Sequence, residues 1–201
     1  MPSKKTTQLD LWRSDFGRAY TDRNLHGFLE RKTAFQTMIG DLEVNEILEV
    51  GCNQAGNLAV LAGLQPNYHL TGVEPNDYAR SLAPNEDERI RVLPGTAFEL
   101  PFLDATFDLV FTSNVLIHIA LADLPLAMQE IYRVSRRYIL AIEYYAEQET
   151  EIFYRGHTSS LWKRDFRKHF EDLYPSLRLQ RHGIWDMSVG FDDSTWWLWE
   201  K

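Results

Sequence analysis

An apolar run that ends in an acid and a glycine turn, Ile47 to Leu58, ILEVGCNQAGNL, has the makings of a ligand-binding loop. Glu49 and Gly51 close that run, and Gly56 opens a helical segment. A second acid, Glu74, followed by Pro75, ends another apolar run 23 residues after Gly51. An acid there can accept both hydroxyls of a ribose, since charge-assisted hydrogen bonds are stronger than neutral ones. A third turn, Gly95-Thr96-Ala97, offers a hydroxyl and backbone groups to the edge of a base. The set describes a nucleoside. In Gly51-Cys-Asn-Gln-Ala-Gly56 the second glycine of G-x-G-x-x-G, which lets a backbone press on a pyrophosphate, is replaced by Asn53. Asn tolerates positive φ, and its amide can bond a carboxylate or ammonium group. The plainer reading of the loop is a tight strand-to-helix turn that holds nothing.

For these groups to meet, the runs must be strands whose carboxyl ends share one edge of an open sheet. Period-2 apolar runs predict strands at Glu46–Val50, His69–Glu74, Arg89–Leu93, Phe107–Thr112 and Tyr138–Tyr145. Helical patterns fall between them at Gly56–Gly63, Asn76–Ala83 with Asn76 as N-cap, and Leu124–Val134. Alternation of this kind gives an α/β fold with a doubly wound, mostly parallel seven-stranded sheet. About 45 residues of helical periodicity, with Leu9, Trp12, Phe16 and Tyr20 and then Phe28, Phe35 and Ile39 on stripes, precede the first strand as cover helices. Near the end, Ser160–Leu173 reads as a helix with Trp162, Phe166 and Phe170 on one stripe. Leu177–Trp185 and Thr195–Trp199 then read as a terminal antiparallel pair. The expected organisation is one domain over 1–201, with a helical cover at 1–44 and an insertion at 146–175. Trp196, Trp197 and Trp199 are expected in its core.

Composition narrows the function classes. No run of about 18 apolar residues exists, the start MPSKKTTQLD lacks an apolar stretch, and the expected compartment is the cytoplasm. The lone Cys52 forms no internal disulfide and reads as a small buried residue, and His and Cys never fall at metal-ligand spacing, so no metal is expected. A net charge of −8 opposes nucleic-acid binding. Arg155 to His169 nevertheless carries five Lys/Arg against one acid. That stretch is either a solvated helix face or a site for a small anion.

The crevice residues and the long helical prelude resemble the class I S-adenosylmethionine (SAM) methyltransferases, a Rossmann-like family whose cofactor has no phosphate. The segment GTAFELPFLDATFDLVFTSNVLIHI, Gly95 to Ile119, resembles that family's adenine-side loop and fourth strand, with Asp108 as a structural residue and with Thr96 where Asp is frequent. Three further stretches are similar to methylases associated with pseudaminic-acid biosynthesis: LWRSDFGRAYTDRN, RYILAIEYYAEQETEIFYRGHTSSLWKRDF and DDSTWWLWEK. Asn114 departs from a glycine usual there, placing a side chain beside the cofactor's methionine end. The resemblance implies methyl transfer to a small, anionic, sugar-like acceptor, with O-methylation favoured, in nonulosonic-acid or surface-glycan biosynthesis.

Transfer from a sulfonium is an in-line displacement, so placing the nucleophile and excluding water are the main tasks. A hydroxyl or ammonium acceptor also benefits from a base, for which His118 is the candidate, its alternative being a packing or capping histidine. Glu143, Tyr144 and Tyr145 end the fifth strand and put at least one side chain toward the crevice. Tyr154, Arg155 and His157 follow on a loop, with Lys163 and Arg164 beyond. Arg155 is the first choice of acceptor anchor, because its planar fork pairs bidentately with carboxylate or phosphate. Tyr20 and Arg23 are expected to close over SAM, Arg23 meeting its carboxylate or else pairing with Asp22 or Glu30 at the surface. The alternatives are methylation of a carboxylate or amine on a peptide or other natural product, a non-catalytic SAM-fold partner protein, and, disfavoured by the loop spacing, a nicotinamide oxidoreductase.

Overall fold

A computed structural model of the chain describes residues 5–25 and 28–201. The first four residues of the start read above, and positions 26 and 27 of the helical cover, lie outside the described residues. Seven strands form one sheet in the order β3-β2-β1-β4-β5-β9-β8. β1 (Glu46–Val50), β2 (His69–Glu74), β3 (Ile90–Pro94), β4 (Phe107–Ser113) and β5 (Ser135–Glu143) run parallel, and β9 (Ser194–Glu200) returns antiparallel between β5 and β8 (Arg178–Trp185). Strand order reverses between β1 and β4, so their carboxyl ends flank the crevice.

The alternation of side chains along each strand feeds two core layers. Ile47, Leu70, Leu109 and Leu140 pack with Phe35, Met38 and Ile39 of α3 (Lys32–Ile39) and with Leu58 and Leu61 of α4 (Gly56–Ala62). On the other face, Leu48, Val50, Val110 and Ile139 meet Leu124, Ala127, Met128, Ile131 and Val134, whose helical spacing makes one stripe of α6 (Leu124–Val134). β9 divides the tryptophans between the layers, Trp196 with the first and Trp197 and Trp199 with the second, all buried. α1 (Thr7–Arg13) and α2 (Asp15–Arg23) lie over the crevice, capped by the side chains of Thr6 and Ser14, while Asn76 caps the short α5 (Asp77–Ser81).

Two expectations change. β5 ends at Glu143, leaving Tyr144 and Tyr145 beyond it. The predicted helix at 160–173 begins only at Phe166: α7 is Phe166–Leu173, because the Asp165 side chain accepts from Lys168 N at 2.9 Å and so caps it there. Trp162–Lys163 is instead a strand, β7, paired antiparallel with β6 at Thr150–Glu151, so Trp162 leaves the expected helical stripe.

Candidate active site

The cleft opens at the carboxyl ends of β1, β2 and β4 under α1 and α2, and its walls include Trp12, Tyr20, Arg31, Glu49, Gly51, Glu74, Thr96, Asn114 and His118. The turn after β1 is tight for a steric reason. Gly51 takes φ 74°, and a Cβ there would lie 2.6 Å from Val115 Cγ2, so no side chain fits. Asn53 follows at φ 49°, its Oδ1 accepting from Gln54 N at 2.8 Å, and Ala55 at φ 63°.

Alternation places Glu49 on the Ile47 side of β1, toward α3 and α4, and there it meets a polar group inside an apolar layer. Asn57 Nδ2 of α4 donates to Glu49 Oε1 at 2.6 Å, while the buried Oε2 has no partner. Arg31, just before α3, donates from Nη1 to Asn57 Oδ1 at 2.7 Å and stacks on Phe28 and Phe191. Burial pushes the Glu49 pKa up to about 8 and lowers that of Arg31. An orphaned buried carboxylate oxygen beside a cation is a receptor for a zwitterion: the carboxylate takes an ammonium and the guanidinium a carboxylate.

Glu74 sits at the end of β2 with each oxygen held by one backbone amide, Oε2 by Asn53 N and Oε1 by Asn76 N, both at 2.9 Å. A carboxylate oxygen accepts more than one hydrogen bond, so both retain capacity for a diol. Burial raises the Glu74 pKa in spite of those amides. Thr96, Ala97 and Phe98 line the adjoining wall, where Thr96 Oγ1 accepts from Phe98 N at 3.2 Å. The unpartnered Glu49 oxygen with Arg31, the Glu74 carboxylate and the Thr96 turn therefore follow one another along the strand ends.

The opposite end of the cleft is aromatic. Trp12 and Phe16, Phe16 and Tyr154, Tyr154 and His118, and His118 and Trp12 contact one another with ring centroids 5.4, 6.0, 5.8 and 4.5 Å apart, a closed circuit. Tyr20 packs on Trp12 at 5.0 Å. His118 is buried, and its Nδ1 lies 2.6 Å from Ser160 O. A carbonyl only accepts, so Nδ1 carries the hydrogen and Nε2 keeps a lone pair. Burial lowers the His118 pKa to about 4, so the ring is neutral at pH 7.

A family profile described as a methyltransferase domain matches residues 48–138. The chain carries a methyltransferase domain. Among solved structures, its fold is similar to that of the Haloferax volcanii methyltransferase in complex with the Trm112 methyltransferase activator, at 14% identity and TM-score 0.74 over 96% of this chain and 97% of that one. It is similar also to Synechocystis magnesium protoporphyrin IX methyltransferase with bound SAH, at 13% identity and TM-score 0.73 over 98% and 100% of the two chains. Burkholderia thailandensis 1,6-didemethyltoxoflavin-N1-methyltransferase, with bound 1,6-didemethyltoxoflavin and S-adenosylhomocysteine, aligns at 14% identity and TM-score 0.71 over 100% and 93%. Among curated protein sequences none matches.

Within this methyltransferase, the cleft brings together Tyr20, Glu49, Gly51, Asn53, Glu74, Pro75, Thr96, Ala97, Asn114 and His118. Gly56 is off the wall, tucked under Phe28, where a Cβ would lie 2.5 Å from the ring. Arg23 is exposed and not on the cleft wall; the cation on that wall near Glu49 is Arg31, held there by packing between two phenylalanine rings. Glu143 also moves out of the reacting set. It is fully buried and accepts from Val115 N and Ile117 N at 3.2 Å each, which fixes the turn carrying His118, and burial pushes its pKa up to about 7.

The other residues expected on the acceptor side do not line the cleft wall, although Tyr154 joins the aromatic circuit at its end. Arg164 is buried and donates from Nε to Glu149 at 2.5 Å and from Nη1 to Ile119 O at 2.7 Å, its Nη2 having no partner, so it holds the insertion to the turn after β4. Lys163 lies over the Tyr144 ring at 5.6 Å, and the half-exposed Tyr145 ring packs 6.2 Å from Trp197. Tyr154 and His157 pair across a tight turn, with Arg155 at φ 48° exposed on its tip. Sequence reasoning missed Arg31 and Asn57; a helix-borne Asn four residues after Asn53 in the loop was the available signal for the second. Among the described residues no group of His, Cys, Asp or Glu is placed to hold a metal, and no helix is long and apolar enough to cross a membrane.

Proposed function

We propose that this methyltransferase acts on a hydroxyl of a small, anionic, sugar-like acceptor, in nonulosonic-acid or surface-glycan biosynthesis. Bound SAM supplies a methyl carbon made electrophilic by its sulfonium. Arg31 and Glu49 hold the two charges of its methionine end, Glu74 holds its diol, and the turn at Thr96 and Ala97 meets its base.

The observation that carries the hydroxyl reading is the neutral His118, pinned through Nδ1 so that only the Nε2 lone pair is left to a substrate. With its pKa near 4 this ring orients a hydroxyl as hydrogen-bond acceptor and takes the proton only as the oxygen loses it to the new bond. Most of the rate then comes from position and from water exclusion by the aromatic circuit. Arg155 supports the anionic part, since no carboxylate among the described residues pairs with it and its turn packs against Phe16 through His157 at 4.9 Å. The insertion at 146–175 is the acceptor-side element in this reading.

Incubation with labelled SAM and deproteinised host extract, followed by mass identification of the compound that gains one methyl, tests it. An O-methylated carboxylate- or phosphate-bearing sugar is the expected product. A methylated amine or a methyl ester on a peptide would replace this reading.

A further inference from the structure

The loop joining β8 to β9 is anchored at the cleft on both sides of a carboxylate. On one side, Gly190, at φ 77°, turns its carbonyl to accept from Arg31 Nε at 2.8 Å. Phe191 next to it is fully buried, 6.1 Å from Phe35 and beneath the Arg31 guanidinium. On the other side, Ser194 Oγ lies 2.9 Å from Asp192 O and 3.5 Å from Asn114 Oδ1, on the cleft wall.

Asp192 stands exposed between these anchors, and Tyr144 just past β5 donates its hydroxyl to Asp192 Oδ2 at 3.3 Å. No Lys or Arg among the described residues forms an ion pair with it. Tyr20 and Tyr154 lie within electrostatic reach of Tyr144, and Tyr20 and Tyr144 within that of Asp192. Burial pushes the Tyr20 and Tyr144 phenols up, so both stay protonated, and the cation within electrostatic reach of Asp192, Arg31, forms no ion pair with it and is bonded to Gly190 O and Asn57 Oδ1. An exposed carboxylate with spare acceptor capacity, set between two anchors beside the cleft, can select a donor.

We propose that Asp192, braced by Tyr144, is a positioning residue that takes a second donor group of the acceptor, a hydroxyl or protonated amine beside the oxygen that is methylated. This deepens the acceptor reading above and rests on it. Two separately anchored contacts, one to Asp192 and one to Arg155, would fix the acceptor's rotation about the line of attack, which a single anchor leaves free.

The test uses the full chain, labelled SAM and a dilution series of deproteinised host extract as acceptor source. Asp192→Asn is expected to raise the half-saturating extract concentration about 10- to 100-fold, the range of a lost charge-assisted hydrogen bond, with maximal transfer changed only a few-fold. Asp192→Glu should recover part of that loss. Calorimetric affinity for SAH should match wild type in both variants. An unchanged half-saturation in Asp192→Asn overturns the proposal, as does a loss of SAH affinity in step with it, which would make Asp192 cofactor-facing or structural. A wild-type product lacking carboxylate and phosphate would overturn the anionic acceptor while leaving the Asp192 shift to be judged by itself. No transfer to any extract component would overturn both.

Discussion

If Glu49 meets the ammonium of SAM, as proposed above, it couples cofactor binding to a proton. In the free protein its pKa of about 8 lies above its ordinary 4.5, because the carboxyl is buried with only Asn57 on one oxygen. The sign follows from linkage: a raised folded-state pKa gives stability that is fully present below pH 4.5 and is lost as pH rises through 8. The loss runs at roughly 1.4 kcal/mol per pH unit across that window, so ionising Glu49 costs the free fold several kcal/mol in all, as an order of magnitude. SAM's ammonium beside the unpartnered Oε2 favours the carboxylate and removes that cost. Binding near pH 7 should then release close to one proton, and SAM affinity should tighten roughly tenfold per pH unit between about pH 5.5 and 7.5. Calorimetry in phosphate and in Tris, whose ionisation enthalpies differ, counts the protons directly. Glu49→Gln keeps the acceptor for Asn57 and removes the titration, so its affinity should be nearly flat over the same range and about 10- to 100-fold weaker at pH 7.5. No proton exchange in wild type at pH 7, or equal slopes in the two proteins, would refute the assignment of Glu49 to the ammonium.

Arg31→Ala should weaken SAM binding about 10- to 100-fold by calorimetry, whereas Arg23→Ala, exposed and off the cleft, should leave it within twofold. Arg155→Ala should raise the half-saturating acceptor concentration while SAM affinity stays at the wild-type value; equal losses in both would make it structural. His118→Asn should lower maximal transfer about 100-fold. In wild type with SAM kept saturating at each pH, maximal transfer carried by the neutral ring should persist as pH falls and fail only near pH 4, where the ring protonates. Arg164→Ala leaves the Ile119 carbonyl without its donor while the exposed Glu149 returns to water, and thermal denaturation should show a loss of about 1–3 kcal/mol.

Much of this protein is legible in chain order because its signals are local. Apolar alternation gives the parallel strands, Gly51 and Asn53 give a turn with two positive-φ positions, and the acid at the end of β2 reaches that turn because successive strands run parallel side by side. Periodicity failed where a tertiary pairing competed with it, at Trp162, whose helical spacing to Phe166 and Phe170 yielded to a strand pairing with Glu151. The cations were the harder matter. Arg23 and Arg31 both follow apolar helical stripes near the start and have the same chemistry, and nothing in their neighbours by sequence separates them.

The sheet, its crevice and the nucleoside character of the cofactor could thus be read along the chain, since they rest on spacings shorter than one strand–helix unit. Folding was needed to bring Arg31 to the cleft wall near Glu49, to set Glu143 on a turn, to make Arg164 a strut and to bring Asp192 beside Tyr144 from 48 residues away. Those choices depend on which side chains are dragged together when the two core layers close, and the free energy of that closure comes from apolar burial that has no preference for any one charged passenger.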